Sequence, residues 1–351
     1  MGKGNFAQID PSLTCLHLYS RAAPHTAFSD KPRALLSMRG LLDREATRDH
    51  HCRMCHDGDR HLIRLMLTPD ELQFYKSEYN LAGQPDFLME MHRHCSLEGQ
   101  RVLEVGGSNL PKTLLFDILR VRQWISIDRV YPENRQYWPK QYKHTGVIPI
   151  SEDIDYTVLD QHVILDGGIE KLPPSFAGRF DAIVSMDAFE HIPKFATMLD
   201  RTYAALRPGG KMLSMYSVIW SSHFGHHLWG VTDKAGKTYY IESSPIPKWG
   251  HLLMRPHEMY IYLLDHTDPD TADEIVYHVY HSEILNRLFY EDYEAYFARS
   301  HFEKVELLKF LPDVQPDAET QSRLEQLYPG RKQFAAQGML AVCEKAGRVS
   351  H

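Results

Sequence analysis

One run, Arg101-Val-Leu-Glu-Val-Gly-Gly-Ser-Asn109, constrains this chain more than any other. An apolar strand ends in an acid, Glu104, and meets Gly106 and Gly107 at once. That is how a parallel strand turns tightly into a helix whose first N–H groups face a ligand. Roughly twenty residues on, a second short apolar strand, Trp124-Ile-Ser-Ile-Asp128, ends in another acid. A carboxylate there is placed to accept hydrogen bonds from the two hydroxyls of a nucleoside ribose. The pair predicts an α/β unit that binds a nucleoside cofactor.

The surrounding text alternates as a doubly wound sheet requires. A helix is expected near 111–120, with Leu114, Leu115, Ile118 and Leu119 on one side, Ser108 or Asn109 as its cap and Pro111 in its first turn. Strand 124–128 leads into a Tyr/Pro/Lys-rich loop to about residue 155. A third strand, His162-Val-Ile-Leu165, ends at Asp166-Gly-Gly168. A fourth, Phe180-Asp-Ala-Ile-Val-Ser185, runs into Met186-Asp-Ala-Phe-Glu-His191. The next helix, about 194–206, lines up Phe195, Met198, Leu199, Thr202, Tyr203 and Leu206. Arg207-Pro-Gly-Gly210 stops it before a strand at 211–218. Upstream, Thr68-Pro-Asp-Glu71 is a capping sequence that opens two helices, around 69–79 and 84–95.

Composition narrows the function. The chain has 351 residues, 43% of them hydrophobic, enough for one large α/β domain with a cap or for two domains. A formal net charge of -7 has the wrong sign for a dedicated nucleic-acid binder, and the 21 histidines add positive charge only in mild acid. No apolar run approaches the roughly 20 residues of a membrane-spanning helix. The first residues, Met1-Gly-Lys-Gly-Asn-Phe, lack the hydrophobic core of a secretory signal. Five cysteines, an odd number, argue for a reducing cytoplasm over a disulfide framework. A cytoplasmic protein with a small-molecule substrate, without nucleic acid or membrane as partner, is expected, and a homodimer is compatible with this.

Val102-Leu-Glu-Val-Gly-Gly107, Asp128, Asp166-Gly-Gly-Ile-Glu-Lys-Leu-Pro173, Phe180-Asp-Ala-Ile-Val-Ser185, Glu190-His-Ile192 and Leu206-Arg-Pro-Gly-Gly210 follow one another in order. In this the chain resembles the class I, Rossmann-like, S-adenosylmethionine-dependent methyltransferases. The resemblance covers roughly 99–218 and extends more loosely over 285–345. There Phe302-Glu-Lys-Val-Glu-Leu-Leu308 and Met339-Leu-Ala-Val-Cys343 look like the family's antiparallel last strand pair.

It implies an α/β fold with a doubly wound, mostly parallel seven-stranded sheet and helices on both faces. An N-terminal extension and helical cap (1–98) would precede the cofactor-binding core (99–218). A substrate-specificity insertion (219–300) and the last strand pair (301–346) would follow. It implies methyl transfer from S-adenosylmethionine, with S-adenosylhomocysteine as product. Glu104, Gly106 and Gly107 would line the methionine and ribose end of the cofactor. Asp128 would hold the ribose, Asp166 and the backbone at Gly167 the adenine, and Ser185 and Met186 would flank the sulfonium. Ser108 stands where the family usually has a further glycine, which implies an altered loop. It is the one hint toward the alternative of a cofactor-binding regulatory or partner protein without transferase activity. A hydride-transferring dehydrogenase is weaker still, because the Gly-x-Gly-x-x-Gly spacing is absent.

Methyl transfer to N or O needs alignment and, for a protonated acceptor, a base. Histidine suits the task. The candidates are His191, and His223, His226 and His227 in Trp220-Ser-Ser-His-Phe-Gly-His-His-Leu-Trp229, with Trp220 and Trp229 as aromatic walls of a substrate pocket. Backbone-bonded packing or a metal site are the other readings of these imidazoles. Arg255 could pair with a substrate carboxylate or phosphate, or simply sit on the surface. The helix after Tyr277-His-Val-Tyr-His281 should bury Ile284, Leu285, Leu288, Phe289 and Tyr293. No metal ion is expected, although Cys52-Arg-Met-Cys55 could supply one edge of a zinc tetrahedron; free buried thiols are the plainer reading.

Overall fold

The computed structural model describes residues 67–107, 109–130, 138–143, 145–310 and 314–347. Cys52, Cys55 and Ser108 lie outside them. Eight strands form one sheet: β1 (Arg101–Val105), β2 (Gln123–Asp128), β3 (Gly146–Pro149), β4 (His162–Asp166), β5 (Phe180–Met186), β6 (Leu206–Ser217), β9 (Lys304–Phe310) and β10 (Gly338–Glu344). Their order is β3-β4-β2-β1-β5-β6-β10-β9, and β7 (Val231–Thr232) with β8 (Thr238–Tyr239) makes a separate hairpin. The strands from β3 to β6 run parallel, while β10 is antiparallel to both β6 and β9.

The expectation of seven strands is corrected to eight. The extra one, Gly146-Val-Ile-Pro149, lies in the stretch read as loop, where four half-exposed residues ending in proline give no alternating pattern. It pairs on one side only, as an edge strand with proline must. The strand pair at 304–310 and 338–344 stands where the resemblance put it.

Strand register sorts the side chains onto two faces. One face carries Val102, Trp124, Ile164, Ala182, Val184 and Leu213, packed under α1 (Pro69–Tyr79), α2 (Gln84–His94) and a π-helical turn, Thr113–Ile118. The other carries Leu103, Ile125, Val163, Ile183 and Met212 under α3 (Phe195–Ala205) and α6 (Tyr290–Ala298). Each fully buried aliphatic or aromatic side chain contributes roughly 1.5–3 kcal/mol, so both faces are driven by apolar burial. Thr68 caps α1 with a reciprocal Glu71 capping box. The helix expected at 111–120 is shorter, and Asn109 does not cap its start.

Between Phe180 and Ala182 the β5–β6 register shifts, so Arg207-Pro-Gly-Gly210 bulges out within β6. Gly209 takes a left-handed φ of 76° there and its N–H donates to the Lys345 carbonyl at 3.0 Å.

The insertion has its own core. Trp220, Tyr239, Trp249, Met259, Ile275 and Phe334 pack together between α4 (Pro256–Leu263), α5 (Pro269–Tyr280) and α7 (Ala318–Leu327). The helix expected to carry Ile284 to Tyr293 begins only at Tyr290. Arg287 is left-handed (φ 52°) and the Asn286 side chain accepts from Leu288 N, a local turn that blocks helix. Ile284, Leu285 and Tyr293 are buried. Among the described residues no helix is long and apolar enough to cross a membrane.

Candidate functional site

Strands β1 and β5 are neighbours, yet the chain builds outward from β1 through β2 to β3 before returning to β5. This reversal opens a crevice at the carboxyl ends, where such sheets take their ligands. A cavity of about 270 Å³ lined by Lys112, Phe116, Gly146, Asp160, Gln161 and His162 lies at the amino ends of β3 and β4, remote from that crevice.

The first half of the crevice is built by β1, β2 and β4. Gly106 (φ 74°) and Gly107 (φ 102°) turn the chain in conformations open to glycine. A Cβ on Gly106 would sit 2.4 Å from the Ala188 Cβ, so the turn also needs glycine to close against the end of β5. Asn109 follows, 1% exposed, with neither Oδ1 nor Nδ2 in a hydrogen bond. An orphaned primary amide at a glycine turn is a donor–acceptor pair awaiting a polar ligand.

Asp128 and Asp166 are register partners at the ends of β2 and β4. Asp128 Oδ1 accepts from Arg129 N at 2.8 Å, Asp166 Oδ1 from Val130 N at 2.9 Å, and Gly167 N donates to the Asp128 carbonyl at 2.9 Å. The loops after the two strands are thereby tied together with both carboxylates at one level. Gly167 is sterically required, since a Cβ would meet Ile150 Cγ2 at 2.3 Å.

Two residues expected here are engaged inside the sheet. Glu104 is fully buried and accepts from Trp124 Nε1 (3.0 Å) and Ser126 Oγ (2.5 Å), bracing β1 against β2. Ser185 Oγ donates to the Val105 carbonyl at 2.7 Å. Met186 is 1% exposed and packs in the apolar layer below α2.

The second half is a buried cluster of imidazoles after β5 and β6. Phe189–His191 forms a 3-10 turn that Asn286 clamps, its Nδ2 donating to the Phe189 carbonyl at 2.8 Å and its N–H to the Glu190 carbonyl at 2.9 Å. His191 Nδ1 lies 2.6 Å from the Ile284 carbonyl, which can only accept, so this nitrogen carries the proton. The His191 and His227 rings meet edge to face at 5.0 Å. His227, left-handed at φ 50°, is held by His278 Nε2, which donates to its carbonyl at 2.9 Å. His226 Nδ1 accepts from Leu228 N (3.1 Å), and His251 Nε2 donates to the Trp220 carbonyl (2.7 Å).

Burial pushes His191, His223 and His251 down to about 4, and His226 and His227 well below the ordinary imidazole range. These rings are neutral at physiological pH. Asp187, also buried, is pushed up to about 8 by loss of water, against a backbone hydrogen bond from Ser217 that pulls it down.

The structure thus brings His191 and His227 together, and His223 and His226 near them. The two tryptophans serve differently. Trp220 is 7% exposed and packs edge-on to His251 at 4.6 Å, whereas Trp229 packs against Tyr240. Arg255 stands outside, exposed and paired with Glu258 at 2.8 Å at the start of α4. From the sequence Asn109 is expected only as a helix cap, and Asp187, Glu190 and His251 receive no role.

Comparison with known proteins follows this geometry. Residues 85–255, from α2 to the start of α4, match the family model described as a methyltransferase domain. No curated protein matches the chain. Among solved structures, an S-adenosylmethionine-dependent methyltransferase from Mesorhizobium loti is 13% identical, with 74% of this chain and 98% of that one covered and a TM-score of 0.39. A Burkholderia thailandensis 1,6-didemethyltoxoflavin-N1-methyltransferase, with substrate and S-adenosylhomocysteine bound, is 13% identical over 82% and 89% of the two chains (TM-score 0.37). A Haemonchus contortus phosphoethanolamine N-methyltransferase is 15% identical over 80% and 58% (TM-score 0.42). Residues 85–255, set in a parallel sheet that closes with an antiparallel strand pair, are thus a methyltransferase domain of the class I, Rossmann-like, S-adenosylmethionine-dependent kind.

Proposed function

We propose that this methyltransferase acts on a small-molecule metabolite, methylating an oxygen or nitrogen held at the imidazole cluster. The observation that supports the reading is that two polar groups stand at the same, carboxyl edge of the parallel sheet. Asn109, Asp128 and Asp166 stand on the β1–β2–β4 side, and buried neutral histidines stand beyond β5.

S-adenosylmethionine supplies an electrophilic methyl group on a sulfonium. Asp128 is assigned to its ribose hydroxyls, Asp166 and the Gly167 backbone to its adenine, and Gly106, Gly107 and Asn109 to its amino-acid end. Met186 provides apolar wall beside the sulfur, while Glu104 and Ser185 act by fixing the strands that carry these groups. The acceptor's lone pair forms the new bond to carbon as the carbon–sulfur bond breaks, its electron pair remaining on sulfur. The acceptor's proton leaves toward an imidazole lone pair. His223 is held near 4, and His226 and His227 well below the ordinary imidazole range; these are weak bases, so the three serve chiefly to orient the acceptor and exclude water. The acidic balance of the chain and the neutral, aromatic character of the buried histidine cluster support a metabolite over a polyanionic substrate.

The test is incubation of the purified chain with a methyl-labelled donor and cell extract separated by size. Label should enter the small-molecule fraction, and His223→Ala and His226→Ala should slow turnover about 10–100-fold while S-adenosylhomocysteine still binds. Label confined to RNA or protein, or undiminished turnover in both variants, would end the proposal.

A further inference from the structure

We infer that Glu190, His191 and His227 form a binding site for one divalent first-row transition ion at the carboxyl end of β5. A carboxylate oxygen of Glu190, one nitrogen of His191 and one nitrogen of His227 all lie within 4.8 Å of one another. Two imidazoles and a carboxylate are a donor set that suits zinc, iron or cobalt and leaves coordination positions open.

The hydrogen bonds around the cluster decide between a cation and ordinary packing. Because Nδ1 of His191 must give its proton to the Ile284 carbonyl, Nε2 bears a lone pair. That lone pair has no hydrogen-bond partner and faces Glu190 Oε1 at 3.9 Å, too far for a hydrogen bond. A buried imidazole lone pair with no donor is a position that a cation satisfies. His227 supplies the third corner. It is 1% exposed, neither of its ring nitrogens makes a hydrogen bond of normal geometry, and the Val218 carbonyl is its nearby backbone acceptor. A single proton can bridge two of these groups, whereas an ion can serve all three. The scaffold is stiff where ligation needs it. Asn286 clamps the turn bearing Glu190 and His191, and His278 holds the backbone of His227.

The site stands on geometry alone. Its use in the reaction, an open coordination position that takes an acceptor oxygen and eases loss of its proton, rests on the methyltransferase reading given above. Metal binding and methyl transfer are measured separately, so either can fail without the other.

The experiment uses the full chain with Cys52→Ser and Cys55→Ser, which removes the competing thiol pair. Chelator-treated protein is titrated with Zn²⁺ against a competing chelator, and with Co²⁺ for its ligand-field bands. One ion per chain is expected, and His191→Gln and His227→Ala should each weaken binding by about 100-fold or more. X-ray absorption of the Co²⁺-loaded protein with all three ligands intact should show nitrogen and oxygen neighbours without sulfur, a readout that does not depend on the variants folding. Absence of binding up to millimolar ion, or equal affinity in folded variants, would overturn the inference, as would a shell lacking imidazole.

Discussion

Acidification from pH 7 to 5 should destabilise this protein through its buried histidines, and two that are not ligands of the proposed ion, His162 and His251, set the scale. Burial pushes His162 down to about 3 and His251 to about 4, against an ordinary value near 6.5. Both native values lie below the unfolded one, so between pH 6.5 and 4 the unfolded chain binds protons that the native chain refuses. Stability is therefore complete above about pH 6.5 and falls as pH drops. For each ring the loss between pH 7 and 5 is about 2 kcal/mol, hence about 4 kcal/mol for the pair. With an unfolding entropy of about 2 cal/mol/K per residue over the described core, this corresponds to roughly 7 °C in Tm. His191, His226 and His227 shift in the same direction and add to the effect. The assay is thermal unfolding by circular dichroism at constant ionic strength from pH 7.5 to 4.5. His162→Gln, which keeps a polar group beside Thr145 Oγ1, should remove about half of the pair's pH dependence. A Tm that stays flat from pH 7 to 5, or a variant with the same slope as the parent, would refute the claim that these imidazoles are held neutral by burial.

Three further outcomes follow from the site. Asp128→Ala should weaken S-adenosylhomocysteine binding by roughly 10–100-fold, the worth of a charge-assisted hydrogen bond, as read by calorimetry; unchanged affinity would remove Asp128 from the ribose. Gly106→Ala should cost about 2–4 kcal/mol in urea unfolding, since it combines a left-handed backbone with a Cβ 2.4 Å from Ala188; a stable variant with full cofactor affinity would show that the turn can move. Trp124→Phe should cost about 1.5–3 kcal/mol by leaving the buried Glu104 carboxylate one donor short, measured by the same denaturation.

What the sequence made legible is what alternation and strand-end acids encode. Val102 to Gly107, Trp124 to Asp128, His162 to Asp166 and Phe180 to Met186 read as parallel strands because both faces are buried and each closes on glycine or aspartate at a turn. β3 was illegible because an edge strand of four residues carries neither an apolar run nor alternation. The break before α6 is a local turn at Asn286 and Arg287, but the apolar spacing across it still reads as helix, and the contact of Asn286 with the Phe189 carbonyl 97 residues back is not written locally. Glu104 shows a subtler limit. The sequence announces an acid before a glycine turn, but only the register with Ser126 and Trp124 reveals that its carboxylate is used within the sheet. The histidines read as a group at 223–227, yet their partners come from 191, 251 and 278, brought together by the insertion's own core.

That convergence is the strongest reason to treat the cluster as chemistry. A buried polar group without a partner costs about 1–3 kcal/mol, and folded proteins keep such groups few. Here Asp187, His191, Ser214, Tyr216, Ser222, His223, His226, His227 and His251 all hold unpartnered polar atoms, on β5, β6 and the segments that follow them. The apolar layers on both faces of the sheet and the separate core of the insertion offset that cost. If the cluster were only packing, apolar residues of similar volume would serve the fold better, and replacing His223 with leucine should raise Tm without affecting turnover. The functional reading expects the opposite division, a variant that melts at the same or a higher temperature and transfers methyl groups poorly. Stability and rate measured on that one substitution decide between them.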